Sequence, residues 1–481
     1  MQKSFFSTAF LLILLNVLVK PFFLFGIDAQ VQNQVGADEY GLYFSLLNFS
    51  FLFSMVLDVG ITNYNTKNIA ESPQLVYRYF GSVIGIRILL GLIYASITIG
   101  CGLLLNYSTK QLEILSLLTL NQFLAGMILY FRSNFAGLHW FKTDAFFSIL
   151  DRLILIIICS VLLYSSWVEE SFQIMWFVEA QTASYGTAAF IALLLSISQI
   201  GKPKVRIKKA FSLAILRRTA PFAMLTLLMM LYSRIDAVMI ERLLPDGPYQ
   251  AGIYAQGFRL LDAANIFALL IAGLLLPIFA RKIKQKNLIE SLLKSVASFM
   301  ISVAIIIAIS TSFFAAPILD LIYSYTTNYS YSVFSVIILS FVPMSATYVF
   351  GTLLTANGNL KELNKMALLG LMFNLVLNFI LIPIIGAMGA AIATLLTQFF
   401  TALWQIWLVK KYFHLRINVK LIAKIVMLSL IGIVLSFFAQ RHQELFNLIG
   451  FVGLVFVLMG ITFLLKIFSV SDLKKKLRPM E

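Results

Sequence analysis

Ten charged side chains fall inside stretches of the sequence that are otherwise apolar. Five are cations, Lys20, Arg87, Arg152, Arg234 and Arg259; five are acids, Asp58, Asp151, Glu179, Asp236 and Asp262. In a bilayer core a charge of this kind costs about 2.5–3.5 kcal/mol on insertion scales, so it faces a partner, a bundle interior or a water-filled cavity. Arginine and lysine there can hold an anion through charge-assisted hydrogen bonds, and phosphate suits them best. The acids can tune those cations or take up a proton or sodium ion. The pair that stands out is Arg259 and Asp262, in AGIYAQGFRLLDAANIFALLIAGLLLPIFAR. They are three residues apart and share one helix face. The reading is substrate contact by Arg259, with simple pairing to Asp262 as its rival. Arg234 and Asp236 lie near the end of another run, where a gate competes with an interfacial pair. Arg87 and Glu179 have no partner close in sequence. Asp151, next to Arg152 near a helix end, reads as a snorkelling structural pair.

These residues need a scaffold of membrane helices. The chain has 481 residues, 60% hydrophobic and 12% charged, with mean hydropathy +0.91. Long apolar runs at this composition mean an all-α polytopic membrane protein. Fourteen spans are expected, near 4–25, 42–62, 79–105, 111–131, 144–166, 172–199, 213–240, 251–277, 292–315, 333–356, 363–384, 387–409, 420–438 and 447–467. The net charge of +16 does not point to nucleic acid, because the basic residues sit between spans and meet anionic lipid head groups. With both termini in the cytoplasm, 29 of the 37 Lys and Arg residues are cytoplasmic, three are external and five lie within spans. This is the positive-inside pattern. The first run is too long for a signal-peptide core and is read as a retained helix.

A short repeat sets the domain plan. Tyr40-Gly41-Leu42-Tyr43 follows the first span and Ala251-Gly252-Ile253-Tyr254 follows the seventh. The plan is an N-terminal six-helix lobe (1–200), a basic linker (201–212), a second six-helix lobe (213–411), and two extra helices with a basic tail (412–481). Two units of even span number keep one orientation, so a pseudo-two-fold along the membrane normal relates them, with the substrate path between.

Chemistry of other kinds finds no support. The sequence has no G-x-x-x-x-G-K-[ST] loop, no G-x-S-x-G elbow and no H-E-x-x-H. No long outer segment is available to house an active site, so an enzyme such as a polysaccharide polymerase or ligase is disfavoured and no catalytic residue is expected. Cys101 and Cys159 fall in apolar runs, and His139, His414 and His442 are far apart, so no metal or other cofactor is expected.

A resemblance enters at Asn374–Thr394. The run N-x3-N-x4-P-x2-G-x2-G-A-A-x-A-T, with Asn374, Asn378, Pro383, Gly386, Gly389, Ala390, Ala391, Ala393 and Thr394, resembles a signature of bacterial polysaccharide exporters. These belong to the multidrug/oligosaccharidyl-lipid/polysaccharide superfamily. Pro383 would end one span, and small residues would let the next helix pack closely. VGADEYGLY with Leu57-Asp58-Val59-Gly60, and the eighth span with Tyr254, Arg259 and Leu276-Pro277, are also similar to such exporters and to the lipid II flippase branch.

The resemblance implies two lobes that alternate between inward- and outward-facing states, with spans one, two, seven and eight lining a cavity. Lys20, Asp58, Arg234, Asp236, Arg259 and Asp262 fall on those spans; Arg87 and Glu179 do not. It implies a Wzx-type flippase in a bacterial inner membrane. The cargo would be a polyprenyl-pyrophosphate-linked glycan such as an O-antigen, lipopolysaccharide or capsule precursor. Arg259, Arg234, Lys20 and Arg87 would bind substrate. Asp262, Asp236, Asp58 and Glu179 would be cavity acids or ion-coupling groups, with H+ or Na+ as the ion. Membrane lipids and other polysaccharide-assembly proteins are the partners expected. A lipid II flippase and a cation-coupled multidrug exporter are the alternatives.

Overall fold

In the computed structural model the described residues are 16, 18–165, 172–203, 209–283, 285–414, 418–442 and 447–468. They form helices throughout. Twelve are long and apolar enough to cross a membrane, and the chain is a multi-pass membrane protein. A further apolar helix, Leu448–Leu464, is 17 residues long and falls where the last span is expected. Most of the expected first span, 4–25, lies outside the described residues, as does the basic tail from 469.

The first described helix shows how the sequence punctuates the fold. A π-helical turn, Phe23–Asp28, leads into α1 (Ala29–Phe53). As one rod, Leu18–Asp58 would have 41 residues and a length of about 60 Å, twice a bilayer core. Gly36, at φ 83° and ψ 172°, breaks it. The Tyr40 hydroxyl donates to Asp28 Oδ2 at 2.6 Å, although twelve residues of straight helix would separate them by about 18 Å. The chain therefore doubles back at Gly36. The polar stretch 26–41, expected as a loop, is helical, and the second span starts before residue 42.

α2 (Met55–Asp58) and α3 (Ile61–Glu71) follow, parted by Val59 at φ 43° and Gly60 at φ 79°. Next come α4 (Gln74–Leu104), α5 (Thr109–Gly137), α6 (Phe141–Phe147), α7 (Leu150–Tyr164), α8 (Ile174–Ile200) and α9 (Lys209–Leu243). Serine 108 opens α5 with a reciprocal cap to Gln111, which satisfies two of the orphan N–H groups of a helix start. The second half of the chain holds α10 (Gly247–Lys282), α11 (Lys286–Phe313), α12 (Ala315–Ile322), α13 (Asn328–Leu339), α14 (Phe341–Ala356), α15 (Leu360–Ile385), α16 (Ala387–Phe413), α17 (Val419–Arg441) and α18 (Leu448–Leu464).

The chain divides into two compact units, Met1–Glu241 and Arg242–Glu481. The boundary falls one span later than the basic stretch 201–212. Span seven goes with the first unit because α9 bonds to α1 and α5: Ser54 donates to Met230 Sδ at 3.7 Å, Arg234 to Asn48 at 3.4 Å, and Gln111 to Glu241 at 3.1 Å.

Within each unit the same neighbours recur. In the first, α5 packs on α1, α4 and α8, while α7 and α1 also meet α8. In the second, α13–α14 packs on α10, α11 and α16, while α15 and α10 also meet α16. Tyr43 and Tyr254, the last residues of the two Gly-x-Tyr matches, are both buried. Gln181 of α8 donates to the Tyr43 hydroxyl at 2.7 Å, and Tyr254 bonds to Thr394 of α16 at 3.2 Å. The sequence match thus marks one local packing device used twice. α17 and α18 pack on α11 and on each other over a cluster of Ile, Leu and Phe side chains.

The hairpin between α15 and α16 is built by the residues of the N-x3-N signature. Gly386 takes φ 61°, and a Cβ on Gly389 would lie 2.5 Å from the carbonyl of Leu381. Two backbones meet there at a distance only glycine permits. Pro383 sits in the last turn of α15. Gln250 and Tyr329 then cap the start of α16, accepting from the N–H groups of Ala387 and Met388 at 3.2 and 3.1 Å.

Candidate functional site

The charged residues expected to do chemistry separate into distinct settings. Arg87 is 2% exposed, and its guanidinium is fully engaged on one side. Nη2 pairs with Asp58 Oδ1 and donates to Thr62 Oγ1 at 2.7 Å. Nη1 donates to the carbonyls of Gly126 at 3.0 Å and Leu57 at 3.5 Å. The ring of Tyr130 lies 5.4 Å away, in cation–π range. Asp58 also accepts from the N–H groups of Gly60 and Thr62, at 3.2 and 3.1 Å, and from the Thr62 hydroxyl.

This node sits at the break between α2 and α3. Val59, a β-branched residue in the left-handed region, is a strained position. The Asp58 carboxylate supplies partners for the N–H groups the break would otherwise leave open. Arg87, from α4, ties that carboxylate to α5 through Gly126. The arrangement makes Arg87 and Asp58 each other's partner. Arg87 was expected to bind substrate; in the structure its Nη1 and Nη2 are bonded within the protein, while its Nε is buried without a hydrogen-bond partner among the described residues.

Span seven carries a second polar group. Arg234 Nη1 donates to Asn48 Oδ1, and its Cζ lies 5.5 Å from the Phe51 ring. Asp236 and Glu241 are buried on the same helix. Glu179, on α8, is exposed. Lys20 is half-buried on the first helix, within electrostatic reach of Arg152, Arg132 and Asp151. Asp151 and Arg152 do pair, at 3.6 Å.

In the second unit Arg259 and Asp262 are both half-buried on α10. The turns before them are buried and fixed: Tyr254 stacks on Phe258 with ring centroids 5.5 Å apart, and Gln256 donates to the Tyr325 carbonyl at 3.1 Å. A rigid helix therefore presents this pair.

The sequence reading passed over Asp28, Gln181, Asn48 and Glu241. Asp28 is buried against Tyr40 but lies just beyond the first apolar run, so hydropathy placed it outside the membrane. Glu241 is equally close to a span end. Amides such as Gln181 carry no charge to draw attention, yet a buried amide needs its partner as much as a charge does. Cys101 and Cys159 are both free thiols. Among the described residues no three His, Cys, Asp or Glu side chains gather as a metal site would require.

Comparison with known proteins follows the same lines. The family model for polysaccharide biosynthesis proteins matches residues 7–283, more than half of the chain. A solved structure of the lipid II flippase MurJ in an inward closed conformation superposes with a TM-score of 0.67 at 16% identity, covering 97% of each chain. An inward-facing multidrug resistance transporter of the MATE family gives a TM-score of 0.63 at 12% identity, over 82% of this chain and 94% of that one. At these identities the likeness concerns the fold. The uncharacterized membrane protein MJ1375 of Methanocaldococcus jannaschii is 29% identical over 207 residues, 42% of this chain; the match spans about half of that relative, 48% of its length. The chain belongs to the polysaccharide biosynthesis protein family, with the membrane fold of the multidrug/oligosaccharidyl-lipid/polysaccharide superfamily.

Proposed function

We propose that this chain is a Wzx-type flippase, which moves a polyprenyl-pyrophosphate-linked oligosaccharide from the cytoplasmic to the outer leaflet of a bacterial inner membrane. The observation that carries the reading is the family match over residues 7–283 together with a flippase fold that extends over 97% of the chain. Multidrug transporter folds cover 82–86% of it, and this difference favours lipid-linked cargo over soluble drugs. Fourteen spans with both termini cytoplasmic complete the proposed topology.

In this reading no covalent bond changes. The pyrophosphate carries negative charge that the bilayer core rejects. Arg259, Arg234 and Lys20 offset that charge during passage, while the polyprenyl tail stays in lipid. Alternating access moves the head group, as in other carriers built from repeated halves. Asp262, Asp236 and Glu179 are the acids available to a coupling proton or sodium ion. Arg87 and Asp58 shape the scaffold. Other polysaccharide-assembly proteins are the natural suppliers and receivers of the cargo. A lipid II flippase is the second reading, supported by the same whole-length fold.

The test is export by an Arg259→Ala variant in cells lacking the native chain. The expected result is normal protein level with export lost, and partial activity for Arg259→Lys. Wild-type export by Arg259→Ala removes this arginine from the mechanism.

A further inference from the structure

Residues 323–332 read YSYTTNYSYS, a run with no charged and no aliphatic side chain. Every residue in it carries a hydroxyl or an amide, and the transport mechanism uses none of them. Burial in a bilayer selects against such a run, because each polar group there needs a partner.

Its place in the fold is particular. α4 and α5 of the first unit correspond to α11 and α13 of the second, and a reciprocal cap opens both α5 and α13: Ser108 with Gln111, and Thr327 with Ser330. Three residues, 105–107, join α4 to the first cap, whereas thirteen, 314–326, join α11 to the second. The added length holds α12 and the start of the tyrosine run. Since three residues suffice to link the same helices in the first unit, the scaffold does not require this segment.

The segment is nevertheless held firmly. Gln256 of α10 donates to the Tyr325 carbonyl at 3.1 Å, and the Tyr323 hydroxyl donates to the Gln256 carbonyl at 3.4 Å. Asp320 Oδ1 accepts from the Tyr331 hydroxyl at 2.6 Å and from the Thr326 hydroxyl. On this fixed backbone the Tyr325 ring is 66% exposed, and Ser324, Thr327 and Asn328 are exposed next to it in the chain. Asp320 is exposed as well, and both of its donors use Oδ1, so Oδ2 is available to another. All of this lies at the end of the second unit away from Arg281 and Lys282, which close α10, and from Lys410 and Lys411, which close α16.

We infer that Tyr325, Asp320 and the exposed polar side chains of 324–328 form a glycan-binding surface. A sugar presents flat C–H faces and many hydroxyls. A rigid, exposed tyrosine ring offers flat apolar contact at low entropic cost, and a carboxylate oxygen with neighbouring hydroxyls and an amide matches the sugar hydroxyls. The inference rests on the flippase reading for the identity of the cargo, and on its topology, in which this end faces outward. It adds a division of labour: cations within the spans meet the pyrophosphate, and this surface holds the sugars as they emerge.

The test is saturation-transfer NMR on the purified full chain in phosphatidylcholine nanodiscs. The probe is the free oligosaccharide released by mild acid from the polyprenyl-linked glycans of the host. Wild type is expected to bind, and Tyr325→Ala to weaken binding roughly tenfold. Tyr325→Phe keeps the ring and should stay within about threefold of wild type. Thermal unfolding should be unchanged in both variants, because the side chain is exposed. No binding by wild type, or equal affinity of wild type and Tyr325→Ala, overturns the surface. Equal affinity with a lower melting temperature does so too, and makes Tyr325 a member of the interfacial aromatic belt. The leaflet distribution of lipid-linked glycans in cells deleted for the chain separates the two claims. An unchanged distribution with Tyr325-dependent binding removes the flippase reading and leaves the surface; accumulation on the cytoplasmic leaflet with Tyr325-independent binding does the reverse.

Discussion

The buried pair Arg87–Asp58 makes the sharpest stability prediction. Arg87 is 2% exposed and Asp58 30% exposed, so removing either partner has an unequal cost. Asp58→Leu leaves a guanidinium in the interior without a counter-charge, and it removes the acceptor for Gly60, Thr62 and Arg87 together. Breaking a buried pair in this way costs about 3–5 kcal/mol. Arg87→Met leaves a carboxylate that still accepts from two backbone N–H groups and reaches solvent, so its loss is nearer about 1–3 kcal/mol. Replacing both removes the unpaired charge, and the double variant should be more stable than Asp58→Leu alone. The coupling should exceed about 1 kcal/mol. Thermal unfolding of the purified protein in one detergent, read as a double-mutant cycle, measures all three. Additive effects within about 0.5 kcal/mol, or Asp58→Leu as stable as wild type, would refute the assignment of this node as a structural latch.

Other outcomes follow from the same geometry. Val59 sits at φ 43°, so Val59→Gly should relieve roughly 1–2 kcal/mol of left-handed strain, offset in part by lost packing; a clear fall in melting temperature would contradict it. Gly389→Ala places a Cβ against the Leu381 carbonyl and should cost folded protein, visible as lost monodisperse material on size exclusion. Normal yield and stability would mean that the α15–α16 crossing is looser than described.

Much of the fold was legible because membrane helices announce themselves by composition. The interior spans fall where hydropathy put them, and the Asn374–Thr394 signature was legible down to its close crossing, since a small side chain is itself the cause of close approach. The turn between the first two spans was hidden. Residues 26–41 are polar enough to read as a loop, yet they are helical, and Asp28 is buried as the acceptor of the Tyr40 hydroxyl. The partner of Arg87 was hidden for another reason. Asp58 lies 29 residues away on a different helix, and hydropathy gives depth without rotation.

The central claim is transport of a lipid-linked glycan, and one measurement addresses it directly. Lipids from cells deleted for this chain are extracted, polyprenyl-linked glycans are identified by mass spectrometry, and the leaflet that holds them is determined. The account predicts that one complete repeat unit accumulates on the cytoplasmic leaflet and clears when the chain is restored. Unchanged lipid-linked glycans, with altered sensitivity to cationic drugs instead, would contradict it and move the assignment to the multidrug branch of the superfamily.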